Sequence, residues 1–137
     1  MDLNQCINFE LNRAQQSVHQ HFKAKLAEYD VTPVQYGILA CLWNNDAQAP
    51  GQIAASLNLD SSTITGILDR MENKGLLKRT PDPNDRRALK VVLTATGRAL
   101  QEPIDKTIQK ANEEVMAGLS AEEQDTLIAL LSRLWKK

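Results

Sequence analysis

Small hydroxyl side chains and one long arginine share one side of residues 61–74, SSTITGILDRMENK. At helical spacing the other side is apolar, with Ile64, Ile67, Leu68 and Met71 in line. A solvated helix face would more usually carry Glu and Lys, because their helix propensity exceeds that of Ser and Thr. Small side chains let a helix backbone approach another surface closely, and an arginine can bind guanine edges or phosphate in a major groove. We therefore predict a DNA recognition helix over residues 61–74, whose polar side holds Ser61, Ser62, Thr65, Gly66, Asp69, Arg70 and Asn73.

A polar segment, PDPNDRRA, follows this helix and separates two β-type runs of similar length, LLKRT and LKVVLT. Two such runs can pair antiparallel as a hairpin, so we predict a wing over residues 76–94. At its tip, Asp85 can hydrogen-bond its own backbone and neutralise either Arg86 or Arg87, which leaves the other arginine pointing outward. A free guanidinium on a rigid ribbon is suited to the negative potential of a narrow minor groove.

The charge distribution supports a nucleic-acid partner although the net charge of the chain is only −1. Residues 61–98, the basic island, hold eight basic and four acidic residues and therefore carry +4. The rest of the chain holds eight basic and thirteen acidic residues and carries −5. A localised basic face in a nearly neutral protein is typical of a nucleic-acid binding site.

The elements around this island are helices with recognisable ends. An apolar stripe predicts one long helix over residues 3–29, and Thr32, Pro33 and Gln35 form a capping-box start for the next. A third helix begins near Pro50 with a weaker cap. Gly75 is a typical residue for ending the recognition helix. After the wing, we predict a long helix capped by Thr94 and kinked at residues 99–103 by Pro103, and a last helix that starts with a capping box at Ser120.

The fold class that follows is mostly α with a small β-hairpin wing (α+β). We expect residues 1–137 to form a single domain, in which a winged helix-turn-helix over residues 32–97 is flanked by dimerisation helices over residues 1–30 and 100–137. These terminal helices carry more apolar stripe than one small core can use, which favours a two-fold homodimer. A dimer would present two recognition helices about one DNA turn apart and read a pseudo-palindrome.

Other function classes lack support in the sequence. No hydrolase, zinc-protease, Walker or dinucleotide-binding motif is present, so we predict no enzyme activity, no catalytic residue and no cofactor. Cys6 and Cys41 lack the spacing of a zinc site, and we predict no bound metal. There is no apolar run of about 18 residues and no signal-peptide pattern, which predicts a cytoplasmic protein without a membrane partner.

Several segments together resemble the MarR family of bacterial transcription regulators. They are NRA in the first helix, VTPVQYGILACL in the second, QIAASLNLDSSTITGILDRMENKGLLKR through the recognition helix and PDPNDRRALKVVLTATGRAL over the wing, where DPNDRR followed by LTxxG is the most specific part. The resemblance implies a dimeric winged-helix protein that binds double-stranded DNA. The leading hypothesis is a regulator of a pseudo-palindromic operator, either a repressor, which we favour, or an activator. The candidate DNA-binding residues are Ser61, Ser62, Thr63, Thr65, Gly66, Arg70 and Lys74 on the helix, and Arg86 and Arg87 on the wing.

The resemblance also implies a regulating signal, because many family members lose DNA affinity when a small phenolic or aromatic ligand binds or when a cysteine is oxidised. The junction of the first, second and kinked helices could hold such a ligand, with Arg13, His19, His21, Tyr36 and Trp43 as candidates. For these residues, packing of the aromatic rings and solvation of the histidines are the competing interpretations. A Cys-based redox sensor and a winged helix that binds protein rather than DNA remain the alternative functions.

Overall fold

The computed structural model describes residues 1–136, and Lys137, the last residue of the predicted dimerisation segment, lies outside the described residues. The helices and strands are, in chain order, α1 (Ile7–Leu26), α2 (Pro33–Asn44), α3 (Pro50–Leu57), α4 (Ser61–Asn73), β1 (Leu77–Asp82), β2 (Asp85–Leu93), α5 (Ala95–Ala99), α6 (Gln101–Val115) and α7 (Ala121–Trp135). Short 3₁₀ helices cover Leu3–Gln5 and Ala27–Tyr29. A mostly helical chain with one β-hairpin is confirmed. Over residues 1–136, no helix has the length and apolar character needed to cross a membrane.

The predicted helix over residues 3–29 is wrong in extent, because the structure divides it into α1 and the two 3₁₀ turns. Asp2 caps the first turn by accepting a hydrogen bond from Asn4 N at 3.1 Å, and extended backbone at Cys6 separates that turn from α1. At the other end, Asp30 adopts the left-handed conformation at φ 55° and stops the chain from continuing as a helix.

Capping boxes begin two of the helices at the predicted residues. In α2, Gln35 N donates to Thr32 Oγ1 at 3.2 Å while Thr32 N donates to Gln35 Oε1 at 3.1 Å. In α7, Ser120 and Glu123 make the same reciprocal pair at 3.1 and 2.9 Å. Each box satisfies backbone donors that a helix start otherwise leaves unpaired, which is why these starts can be read from sequence.

The irregularity predicted at residues 99–103 is present, but it divides the predicted long helix into two helices and does not merely kink it. Thr94 caps α5 by accepting a hydrogen bond from Gly97 N at 3.1 Å. This helix ends at Ala99, and α6 begins at Gln101. Pro103 therefore lies in the first turn of a new helix, where a missing backbone donor costs little.

The wing is an antiparallel hairpin in which Leu77 pairs with Leu93 and Pro81 with Leu89. An irregularity follows Pro81, where Asp82 pairs with Asp85 at the turn. Val91 N also donates to Gln48 O at 2.8 Å, so the loop after α2 lies against the outer side of β2. At the base of the wing, β2 is therefore hydrogen-bonded to β1 along one edge and to Gln48 along the other.

The chain forms two compact units, one from Leu26 to Asp105 and one from Met1–Lys25 together with the segment from Lys106 onward. The first unit has a dense core, whose fully buried side chains include Ile38, Leu42, Ile53, Ile64, Leu68, Met71, Leu77 and Val91. The apolar side of α4 therefore faces this core, as predicted. In the second unit, α7 is described in full and none of its residues is buried.

Candidate nucleic-acid interface

The start of α4 is held by Asp60 at the end of the turn that follows α3. That turn begins at Asn58, which is left-handed at φ 54°. Asp60 Oδ1 accepts hydrogen bonds from Thr63 N at 2.7 Å and from Ser62 Oγ at 2.8 Å. These bonds, that from the Thr63 backbone above all, lower the pKa of the Asp60 carboxyl. Asp60 therefore stays ionised and orients the first turn of the helix.

The side of α4 opposite the core is open to solvent. Ser61, Ser62, Thr63, Thr65 and Arg70 are exposed on it, and Gly66 is half-buried. Nothing lies within 4 Å of the position that a Cβ on Gly66 would occupy, so packing within the chain does not require glycine there. Thr65 Oγ1 donates to Ser61 O at 2.9 Å. The hydroxyl hydrogen of Thr65 is therefore used within the helix, while its oxygen can still accept a hydrogen bond.

Lys74 differs from the other candidates because its ammonium group is engaged within the chain. Its Nζ donates to Asp30 O at 2.6 Å and to Gln35 Oε1 at 2.9 Å. The side chain of Gln35 is buried and also caps α2, so Lys74 ties the end of α4 to the start of α2. The assignment of Lys74 to DNA binding stays a prediction, whereas its tie to Gln35 had no signal in the sequence.

Both arginines at the tip of the wing are exposed and unpaired. Asp85 Oδ1 accepts a hydrogen bond from Arg87 N at 3.0 Å, and Asp82 Oδ1 accepts one from Asn84 N at 2.9 Å. Among residues 1–136, no carboxylate lies within 4 Å of the guanidinium of Arg86 or Arg87. The predicted hydrogen bond of Asp85 to nearby backbone is present, whereas the prediction that Asp85 would neutralise one of the arginines is wrong. The tip therefore presents two free positive charges.

Asp46, in the loop after α2, anchors the base of the wing. Its Oδ1 accepts a hydrogen bond from Leu93 N at 3.0 Å, and its Oδ2 accepts one from Arg98 Nη2 at 2.7 Å. These contacts link positions about 50 residues apart and hold the end of β2 beside α5. Sequence analysis missed Asp46, because an aspartate after a helix is equally typical of a solvated turn.

Arg79, on β1, joins the wing to α4. Its guanidinium forms ion pairs with Asp69 and with Glu72, the latter at 3.2 Å from Nε, and its backbone N donates to Glu72 Oε1 at 3.0 Å. The side chain of Arg79 is 22% exposed, so this contact lies at the surface between the helix and the hairpin. Arg79 thus braces the wing against the exposed side of α4.

Comparison with known proteins agrees with this geometry. The sequence profile of the MarR family matches residues 31–89. The multiple antibiotic resistance protein MarR of Escherichia coli K12 is 32% identical over 129 residues, which cover 90% of this chain and 90% of that protein. The chain belongs to the MarR family.

Two solved structures extend the likeness to the whole fold. The transcriptional repressor CouR bound to a 23-mer DNA duplex has a TM-score of 0.91 and 28% identity, covering 96% of this chain and 94% of that one. BpsR of Bordetella bronchiseptica, whose DNA binding is regulated by 6-hydroxynicotinic acid, has a TM-score of 0.94 and 25% identity, covering 100% and 98%. This MarR-family protein is a DNA-binding transcriptional regulator and not an enzyme.

Two of the effector candidates on α1, Arg13 and His21, contact different residues. Arg13 Nη1 contacts Glu10 Oε1 at 2.8 Å and Asn4 Oδ1 at 2.7 Å. His21 Nε2 lies 3.6 Å from a carboxylate oxygen of Glu114, and His19 is exposed. Arg13 and His21 are eight residues apart, about 12 Å along a helix, so they do not form one cluster.

Tyr36 and Trp43, by contrast, lie together on α2 of the regulator. Their ring centroids are 6.3 Å apart and the rings are tilted by 57°, and Trp43 Nε1 donates to Gly97 O at 2.9 Å. Burial, and secondarily the charge of Asp105, raises the pKa of the Tyr36 phenol. The phenol therefore remains protonated and can act as a hydrogen-bond donor at the edge of an aromatic surface.

The cysteines of this family member are free thiols in the structure. Burial raises the pKa of Cys41, which keeps it in the less reactive thiol form. Cys6 is half-buried between the first 3₁₀ turn and α1. No group of three or more His, Cys, Asp or Glu side chains in the described part of the chain could hold a metal ion.

Proposed function

We propose that this regulator is a repressor that binds a pseudo-palindromic operator as a homodimer, with α4 in the major groove and the wing tip in the minor groove. The observation that carries this proposal is the pair of unpaired, exposed guanidinium groups of Arg86 and Arg87 at the end of a braced hairpin. Free arginines on a narrow ribbon match the negative potential of a narrow minor groove.

The orientation proposed for α4 is supported by the burial of its apolar side. Ile64 and Leu68 are 1% exposed and Met71 is fully buried, so the helix is fixed against the core and cannot rotate. Its outward face consists of short hydroxyl side chains and Arg70, which permit close approach to base edges. The proposed DNA contacts are those of Ser61, Ser62, Thr63, Thr65, Gly66, Arg70, Lys74, Arg86 and Arg87.

The proposed homodimer is supported by large apolar side chains that stay exposed in the described chain. On α7 they include Leu127, Ile128, Leu130, Leu134 and Trp135, and on the first residues and α1 they include Leu3, Ile7, Phe9 and Leu11. Many large apolar side chains exposed on the same helices are typical of a protein interface. A two-fold dimer through these helices would bring two copies of α4 to successive major grooves.

Repression is proposed because the DNA-bound relative CouR is a repressor. A dimer that covers about two turns of promoter DNA would exclude polymerase from the same site. A promoter carrying the operator should therefore be transcribed less in vitro when the regulator is added.

The wing assignment predicts the effect of the double substitution Arg86→Ala/Arg87→Ala. Loss of two positive charges from the minor groove should weaken binding to operator and random DNA by a similar factor, roughly thirtyfold at about 0.15 M salt, and lower the salt slope by up to about two. The measurement is a fluorescence-anisotropy titration at several salt concentrations, with an operator selected from a random pool.

Lys23→Ala/Lys110→Ala is the matched control, since it removes two exposed positive charges from outside the basic island. The control should retain the affinity and the salt slope of the wild type. If the wing variant also retained both, the wing assignment would be wrong. If the wild type bound no DNA beyond background, the alternative of a protein-binding winged helix would gain support.

We also propose that a small aromatic acid releases the regulator from DNA, as supported by the regulation of BpsR by 6-hydroxynicotinic acid. Tyr36 and Trp43 are the residues on which this ligand would stack. The variant Trp135→Phe leaves Trp43 as the sole tryptophan, so its fluorescence should be quenched by 6-hydroxynicotinate or salicylate over the range that releases operator DNA. Unchanged fluorescence, with no release at millimolar ligand, would contradict the proposal. Benzyl alcohol, which lacks the carboxylate, is the control ligand.

A further inference from the structure

The recognition helix carries a net negative charge of its own. Over Ser61–Asn73 the charged residues are Asp69, Arg70 and Glu72. Asp69 lies one turn beyond Thr65 on the exposed side, and the side chains of Asp69 and Glu72 are 54% and 39% exposed. Two bare carboxylates on this face would repel DNA phosphates, since like charges brought together across an interface are strongly unfavourable.

We propose that Arg79 is a positioning residue that shields these two carboxylates, so that a helix with an acidic surface can enter the DNA groove. This inference rests on the proposed function, because it requires that the outward face of α4 meets DNA. Arg79 itself need not touch the DNA.

The contacts of Arg79 fit a shield. Its guanidinium binds Asp69 Oδ1 and Glu72 Oε1 at the same time, and the second carboxylate also accepts the Arg79 backbone N–H. The planar guanidinium presents several donors in fixed directions, which suits it to two acceptors at once, whereas a lysine ammonium would act as a point charge. Hydrogen bonding to Asp69 raises the pKa of Arg79, so the group stays charged.

The position of Arg79 is imposed by the hairpin. Arg79 pairs with Val91, which is fully buried and is itself bonded to Gln48. Successive side chains of a strand point to opposite sides, and the neighbouring Lys78 is exposed while Arg79 is largely covered. The sheet therefore holds the guanidinium beside α4 before DNA arrives, and little ordering remains to be done on binding.

If Arg79 shields the two carboxylates, removing its charge should weaken DNA binding, and removing the charges of the carboxylates as well should restore the affinity. Arg79→Met keeps the aliphatic stem and removes the charge, so it should weaken binding to operator and random DNA about tenfold, with a smaller loss at high salt. In Arg79→Met/Asp69→Asn/Glu72→Gln the carboxylates no longer need neutralising, and affinity should return to within about threefold of the wild type. If the triple variant stayed as weak as Arg79→Met, Arg79 would serve only to tie the wing to the helix, and the shield would be overturned.

A second variant, which keeps Arg79, tests the shield even if Arg79→Met does not fold. Asp69→Asn/Glu72→Gln releases the guanidinium and should raise affinity about tenfold and steepen the salt slope. A fall in affinity would show that the carboxylates contact DNA themselves, for example by accepting from cytosine N4, and would also overturn the shield. Thermal melts of every variant identify any that is unfolded at the assay temperature.

Two comparisons separate failure of the shield from failure of the proposed function. Lys25→Met/Glu114→Gln, which removes an ion pair of 2.9 Å outside the basic island, should leave DNA binding unchanged. If the Arg86 and Arg87 variant weakens binding while the Arg79 series does not change it, the interface stands and the shield is wrong. If neither series changes binding, the interface itself is misplaced.

Discussion

If the regulator is the proposed homodimer, replacing Leu127 and Leu130 by glutamate should convert it into a folded monomer that no longer retains its operator. Both side chains are exposed on α7, where no residue is buried, so the substitutions should leave the core of the chain intact. With Leu119 they line an apolar groove of about 420 Å³ that could receive side chains of a second copy. In a two-fold interface each new carboxylate would occur twice and would be buried without a partner, which is strongly unfavourable.

The loss of DNA binding should be large because the second half-site would no longer be held by linkage to the first. Joining two binding modules raises the overall affinity by roughly 10²- to 10⁴-fold, and a monomer forfeits this gain. Sedimentation velocity would measure the mass of the protein, and anisotropy with a full and a half operator would measure binding. The affinity for the half operator should change little, since α4 and the wing are untouched.

Ala129→Glu is the matched control, because Ala129 is exposed on the opposite side of the same helix. That variant should remain a dimer and bind as the wild type does. A double glutamate variant that stayed dimeric with full operator affinity would show that α7 does not form the interface.

The elements that sequence predicted well are those determined by neighbouring residues. The starts of α2 and α7 depend on a hydroxyl and a Gln or Glu three residues apart, so their hydrogen bonds are fixed by local geometry. The break before α6 depends on Pro103, whose effect reaches back only one turn. The apolar side of α4 was predictable because the hydrophobic period alone orients a helix toward the core.

The predictions that failed depended on which of two similar local geometries prevails. An apolar stripe cannot distinguish a 3₁₀ turn from an α-helical turn over three residues, so the ends of the first helix were missed. At the wing tip, Asp85 had both a backbone N–H and two guanidinium groups within reach. In the structure Asp85 accepts from the backbone donor, and among the described residues neither guanidinium forms an ion pair with it.

The bracing of the site could not be predicted because its partners lie far apart in the chain. Asp46 with Arg98 and Lys74 with Gln35 are separated by 52 and 39 residues, and Arg79 reaches across the corner between helix and hairpin. From the sequence alone, none of these charged side chains can be told apart from one that is exposed to solvent. The free charges of the basic island are therefore fewer than its composition suggests. Under the proposed function, more of the DNA binding would fall to the wing tip and Arg70.

Replacing Gly97 by alanine should destabilise the unit from Leu26 to Asp105 more than the same substitution at any other glycine of this unit. A Cβ at Gly97 would stand 2.1 Å from the carbonyl oxygen of Leu76 and 3.2 Å from Leu93 Cδ2. The Leu76 oxygen already accepts a hydrogen bond from Thr94 N at 3.2 Å, so it cannot retreat without breaking the junction of wing and α5. The glycine is thus required by space and not by its backbone conformation.

The expected loss is roughly 3 kcal/mol in the free energy of unfolding, at the upper end of the range for overpacking. Urea denaturation followed by the fluorescence of Trp43 in a Trp135→Phe background would measure it, because Trp43 Nε1 is bonded to Gly97 O and reports on this junction. Gly66→Ala is the matched control, since its added Cβ meets open space and an alanine within a helix should stabilise by about 0.5–1 kcal/mol. If Gly97→Ala were as stable as the wild type, α5 would not approach the Leu76 carbonyl as closely as the contact requires. The wing would then lose one of the supports that hold its arginines in place.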